Sequence, residues 1–205
     1  MRGKSLGPYM NPAWCLTSIE LEARITHNCG VDLRLGVEVV MTEAIPGLRG
    51  IDHVGITVPD LESAVTFYSK LLGAKEVFRL GPFDSREFPQ VDGKDWSLAH
   101  VNVADAKFTI VMLQLPNGHR LELFQYDRPD DRRTQPPRNC DYGGHHIAFR
   151  VENVAAVISK GSALGLTFMA GPIVMTEGPA AGQSINYCLD PWGNQLELVE
   201  DTVRP

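Results

Sequence analysis

Four residues of this chain have types and spacing suited to chemistry: His53, Glu122, His146 and Glu197. Each His–Glu pair belongs to one of two similar stretches, and the four occupy equivalent places in them. Two imidazoles and two carboxylates suit a divalent cation such as Zn, Ni, Co or Mn, with water completing the shell. Taken singly, a glutamate flanked by leucines, as Glu122 and Glu197 both are, is more often the solvent side of a half-buried sheet. Four residues at repeat-equivalent positions favour the metal. His145 stands out of phase with the pattern, and His100 and His119 read as surface or supporting residues.

Strands must carry these residues. Residues 51–58 read IDHVGITV and residues 144–151 read GHHIAFRV. Period-two alternation puts Val54, Ile56 and Val58 on one face and His53, Gly55 and Thr57 on the other. In the second stretch Ile147, Phe149 and Val151 face inward, with His146, Ala148 and Arg150 opposite. The closing segments PNGHRLELF (116–124) and PWGNQLELV (191–199) each open with a Pro-x-Gly turn. There Glu122, Phe124 and Tyr126 lie opposite Leu121 and Leu123, and Glu197 and Val199 lie opposite Leu196 and Leu198. Each unit thus turns one His and one Glu away from its helix.

The helices are legible too. Asp60 is an N-cap, Leu61, Ala64, Val65, Tyr68, Leu71 and Leu72 form an apolar stripe, and Gly73 ends the first helix. In the second copy Asn153 caps, Val154, Val157, Ile158 and Leu164 supply the stripe, and Gly165 ends it. Further strands are expected near 97–103 and 108–115 in the first unit, and at 184–189 and 167–175 in the second. His53 and His146 are 93 positions apart and Glu122 and Glu197 only 75, so the first unit is 18 residues longer. The excess falls in the polar stretch 81–96, whose Phe83, Phe88 and Trp96 suit either a lid over the site or an ordinary surface loop. The chain therefore reads as α+β, with an N-terminal extension (1–48), a first βαβββ module (49–126), a Pro-, Asp- and Arg-rich linker (127–143) and a second module (144–201). Within the extension, residues 31–40 suit a short strand, and Met41 reads as a natural start with an appendage before it. A packing arm at a dimer interface is the alternative.

Composition narrows the function. The net charge is −6 and no long basic run occurs, which argues against a nucleic-acid surface. No apolar run approaches the ~20 residues needed to span a bilayer, and no secretory signal is evident. The four cysteines form no CxxC pair, so reduced thiols and a cytoplasmic location are expected.

The segments IDHVGITVPDLESAVTFYSKLLG, GGHHIAFRV and DPWGNQLELVE give the chain from about Leu48 to Glu200 a family likeness. It resembles the vicinal oxygen chelate superfamily, which includes glyoxalase I, methylmalonyl-CoA epimerase, extradiol dioxygenases and the fosfomycin- and bleomycin-resistance proteins. The resemblance implies paired βαβββ modules forming a cupped sheet around one divalent metal, with His53, Glu122, His146 and Glu197 as ligands. It also implies a homodimer or a single-chain pairing of modules, and a small-molecule substrate. The favoured activity is that of a lyase, isomerase or epimerase in which the metal acts as a Lewis acid, stabilising an enediolate, while Glu122 or Glu197 moves the proton beside the carbonyl. An Fe(II) extradiol dioxygenase would need only His53, His146 and Glu197, and a drug-binding protein would need no turnover. Arg120 and Arg150 share faces with the ligands and suit either a substrate anion or a solvated rim. Phe124 and Tyr126 suit either the wall of an apolar cavity or the packing of a sheet interface.

Overall fold

The computed structural model describes residues 45–201. The strand expected over 31–40 and the start expected at Met41 lie outside the described residues. The chain divides into two units after Leu48, and the second of them, from Arg49 onward, contains both modules.

The first module runs β1 (Val54–Thr57), α1 (Leu61–Leu72), β2 (Lys75–Asp84), α2 (Trp96–Val101), β3 (Lys107–Gln114) and β4 (Arg120–Arg128). Its sheet has the order β1-β4-β3-β2. β1 lies parallel to β4, and the other pairs are antiparallel. α1 starts where Asp60 accepts a 2.7 Å hydrogen bond from the Ser63 amide, and it stops at Gly73, whose φ of 64° costs a glycine little. Its stripe covers one face of the sheet. Leu61, Ala64 and Tyr68 are buried there with Ile56, Val58, Val111, Leu113, Leu121 and Leu123. Each large apolar side chain so buried contributes about 1.5–3 kcal/mol. The opposite face carries Glu122, as the alternation requires.

The second module runs β5 (Ile147–Arg150), α3 (Val154–Gly161), β6 (Thr167–Phe168), β7 (Ile173–Val174), β8 (Gln183–Leu189) and β9 (Gln195–Asp201). Its sheet follows the order β5-β9-β8-β6, with β7 also on β8. Asn153 caps α3 by accepting from the Ala156 amide at 2.6 Å. The joint between modules is aromatic: Phe67 of α1 meets Trp192 of the second Pro-x-Gly turn edge to face at 5.5 Å. No helix among the described residues is long and apolar enough to cross a membrane.

Four expectations need correction. Residues 97–103 were expected as a strand, yet Trp96–Val101 is helical. Asp95 explains this, because its carboxylate caps the Leu98 amide at 3.0 Å and takes the Ser97 hydroxyl at 2.6 Å. The missing strand is β2, which follows α1 directly and extends into the polar stretch as far as Asp84. Its interior was hard to read because its residues, from Lys75 to Pro82, are exposed on both faces. β4 continues to Arg128, past the expected module end. Leu164 does not join the α3 stripe. It sits in a 3-10 turn, 38% exposed, because α3 already ends at Gly161, whose bare Cα lies against the Phe168 ring.

Candidate metal and active site

β1 and β4 bring His53 and Glu122 side by side, with His53 Nε2 3.2 Å from Glu122 Oε2. β5 and β9 do the same for His146 and Glu197, at 3.0 Å. Both pairs sit on the sheet face away from the helix. The glutamates are largely sheltered, with side chains 16% and 12% exposed, while the imidazoles are 37% and 31% exposed.

The outer nitrogen of each ring is already engaged. His53 Nδ1 donates to Asp52 Oδ1 at 2.9 Å, and His146 Nδ1 donates to Asn139 Oδ1 at 3.1 Å. In the tautomer that carries its proton on Nδ1, an imidazole presents the lone pair of Nε2, and in both pairs Nε2 faces a carboxylate oxygen. Two acceptors at such a distance repel unless something positive lies between them. A divalent cation satisfies both, and the Nδ1 partners are the second layer that fixes a ligating imidazole. The donor chemistry of both pairs therefore fits a metal. Among the described residues, no group of three or more His, Cys, Asp or Glu side chains surrounds a single point. The two His–Glu pairs thus stay separate among the described residues.

The surroundings of the halves differ. On the Glu122 face, Phe124 stacks on Tyr126 at 5.8 Å, and both rings approach Phe108. Burial, and then the charge of Glu122, push the Tyr126 phenol above its ordinary range. The aromatic wall continues through Phe83 into the insertion, where Phe88 and Trp96 stack at 4.5 Å. Phe83, Phe88 and Trp96 therefore pack onto the end of this face. On the Glu197 face, Tyr187 lies directly across the β8–β9 ladder from Glu197. Its ring meets the His146 ring edge to face at 5.3 Å. Burial first, then the Glu197 charge, raise its phenol.

The two expected anion-binding arginines have acids of their own. Arg150 pairs with Asp201, and Arg120 lies 3.7 Å from Asp52. The hydrogen bond from His53, and then Arg120, hold the Asp52 carboxyl below its usual range. His145 is turned to the Gly143 carbonyl, and His100 packs against Trp96. Asp52, Asn139 and Tyr187 were not singled out from sequence. Asp52 precedes His53 directly and was open to notice. Asn139 lies seven positions from its histidine, inside a linker of turn-forming composition. Tyr187 required the β8–β9 register.

Comparison with known proteins fits this architecture. The model of the Glyoxalase/Bleomycin resistance protein/Dioxygenase superfamily matches residues 50–198. A 2-epi-5-epi-valiolone epimerase from Actinomyces sp. is 41% identical over 157 residues, covering 76% of this chain and 81% of that protein. Two solved structures share the fold. A glyoxalase family protein from Bacillus cereus superposes with a TM-score of 0.59 at 21% identity, over 78% of this chain and all (100%) of that one. One from Enterococcus faecalis gives 0.52 at 22%, over 74% of this chain and 98% of that one. With two βαβββ modules and a superfamily match that spans both, the chain belongs to the Glyoxalase/Bleomycin resistance protein/Dioxygenase superfamily.

Proposed function

We propose that this protein is a divalent-metal-dependent epimerase that moves a proton on the carbon beside a carbonyl of a small molecule. The observation that carries this reading is the repeated pairing of an imidazole Nε2 with a carboxylate oxygen, at 3.2 Å in one module and 3.0 Å in the other. The relative that is 41% identical supports epimerisation among the activities of the superfamily.

His53 and Glu122 of one copy would join His146 and Glu197 of a second copy in a homodimer. What supports this assembly is that each module supplies two of the four groups, and no three of them meet at one point among the described residues. A bound Zn, Ni, Co or Mn ion supplies Lewis acidity that polarises the substrate carbonyl. The chain's own groups do the rest. A glutamate carboxylate takes the proton as the C–H bond breaks. The electron pair stays on the substrate as the enolate, and a proton returned from solvent to the other face inverts the centre. The packed rings of Phe108, Phe124 and Tyr126 shield the sheet face beside Glu122 from water.

The test is elemental analysis of the untagged, dimer-sized fraction, beside solvent-deuterium incorporation into 2-epi-5-epi-valiolone. A near-stoichiometric divalent metal with deuterium entering one carbon is the expected result. Protein that binds no metal after reconstitution would refute the reading. Iron as the sole metal, kept in Glu122→Ala, would favour a dioxygenase.

A further inference from the structure

β1 is an outer strand of its sheet, and a cavity of about 910 Å³ opens along it. That volume lies in the range that holds a drug-sized ligand. From the first module, Gly55, Thr57 and Tyr126 line the cavity. Gly55 and Thr57 stand beside Glu122 and Phe124 in the β1–β4 register, and Tyr126 stacks on Phe124 on the same face. A Cβ on Gly55 would come to 3.8 Å from Glu122 Oε2, so glycine leaves this wall open toward the carboxylate.

Another part of the wall comes from the linker, which supplies Arg132 and Arg133. The linker is seated on the second Pro-x-Gly turn, since a Cβ on Gly193 would stand 3.6 Å from Pro136. Arg132 uses one N–H on the Pro129 carbonyl at 2.7 Å and keeps the rest of its fork. Arg133 acts on Asp141 through space and forms no hydrogen bond or ion pair among the described residues. The one carboxylate on the cavity wall, Asp190, is 3% exposed. Its oxygens already accept from the Tyr68 hydroxyl, the Trp192 and Asn194 amides and the Asn194 side chain. On a chain of net charge −6, this wall therefore carries two guanidiniums that no acid answers, whereas Arg120 and Arg150 each have one.

A single arginine on a linker is ordinarily a solvated charge. Two adjacent ones on the wall of a ligand-sized cavity offer two forks, more than one carboxylate takes. A phosphate monoester, with a charge of roughly −2 and three terminal oxygens, uses both. Tyr126 lies four residues along β4 from Glu122, about 13 Å at the rise of a strand, so the cavity extends well beyond the reacting carbon.

Resting on the epimerase reading, we propose that the substrate is a phosphorylated small molecule. Its carbonyl end lies beside Glu122, and its phosphate is held at the far end of the cavity by Arg132 and Arg133.

Binding of inorganic phosphate to the full-length, metal-loaded protein is measured by titration calorimetry. The variants are Arg132→Gln/Arg133→Gln and, as a control of equal charge, Arg79→Gln/Arg86→Gln. Arg79 and Arg86 pair with Glu62 and Asp105 and line no part of the cavity. Saturable binding in the wild type should weaken at least about tenfold in the first variant, the scale of a lost charge-assisted hydrogen bond, and persist in the control. Deuterium exchange is then compared for 2-epi-5-epi-valiolone and its monophosphate ester. The wild-type kcat/KM should favour the ester by at least about tenfold, and Arg132→Gln/Arg133→Gln should lose that preference, mainly in KM. Phosphate that does not bind, or binds both double variants alike, overturns the anion site. Phosphate that binds through these arginines while the ester is not preferred overturns its assignment to the substrate. Deuterium entering neither compound overturns the epimerase reading and the substrate assignment with it, and calorimetry still decides the arginine site alone.

Discussion

Tyr68 of α1 donates a 2.6 Å hydrogen bond to Asp190, 122 positions away in the second module. Both residues are buried, Tyr68 completely and Asp190 to 3% exposure. Asp190 is also the hub of its own turn, accepting from the Trp192 and Asn194 amides and from the Asn194 side chain. Burial, and then the Asp190 charge, drive the Tyr68 phenol far above its ordinary range. The bond joins the modules through the one carboxylate that also shapes the second Pro-x-Gly turn.

Tyr68→Phe should therefore cost about 1.5–3 kcal/mol, the range for a hydrogen bond to a charged group. Asp190→Ala removes every acceptor at once and should cost more, since the tyrosine hydroxyl and two amides lose their partner together. Urea unfolding midpoints measure both. Equal losses would mean that the turn does not depend on its hub.

The Nδ1 partner of His146 gives a second prediction. Asn139 lies in a turn in which the Asp141 amide donates to the Arg138 carbonyl at 2.9 Å and the Gly144 amide to the Asp141 carbonyl at 2.7 Å. Asn139→Ala should weaken metal binding roughly 10–100-fold through His146. Gly144→Ala should do so as well, because its Cβ would fall 2.1 Å from the Arg138 carbonyl oxygen and force the turn apart. Chelator competition gives the affinities. A Gly144→Ala protein with native affinity would detach the turn from the site.

The aromatic stack holding the insertion is a third point of test. Trp96 stacks on Phe88 at 4.5 Å and lies 6.0 Å from Phe83. Trp96 is only partly buried, so Trp96→Ala should cost roughly 2 kcal/mol, less than the 3–5 kcal/mol usual for a buried aromatic. Proteolytic nicking should rise within residues 85–105. Cleavage at the wild-type rate would show that the stack does not hold the segment.

Acid should loosen the same insertion. The Ser97 hydroxyl first, then the Leu98 amide, hold the Asp95 carboxyl down to about 2, against an ordinary value of 3.8. A depressed carboxylate contributes its stability above its unfolded value and loses it as pH falls through its folded one. The contribution should thus be complete above about pH 4 and fade toward pH 2. Thermal unfolding of the wild type and Asp95→Ala should converge across that window. A gap between them that stays constant to pH 2 would refute the assignment.

Much of this was legible because periodicity, caps and turns all pointed the same way. The α1 stripe, Asp60, Gly73 and the alternation in β1 and β4 each agree with the fold, and together they place His53 beside Glu122. Failures came where tertiary contacts overrode local pattern. β2 is exposed along most of its length and shows no buried face to read, and α2 depends on a cap that also bonds the distant Asp105 amide at 3.3 Å. The different surroundings of the two His–Glu pairs were hidden for another reason. Met112 and Tyr187 are distant in sequence from the glutamates they adjoin, and only strand register pairs them.

The insertion leaves and rejoins the sheet on one rung. Asp84 of β2 faces Lys107 of β3, the Ser85 amide donates to the Ala106 carbonyl at 2.9 Å, and Arg128 of β4 clasps Asp84 at 2.6 Å. A loop closed this way behaves as a cassette. Lengthening or shortening it adds only the slowly growing entropy of loop closure, and the strands below keep their pairing. Residues 85–106 can therefore be rewritten as one block while the sheet that carries Glu122 keeps its register.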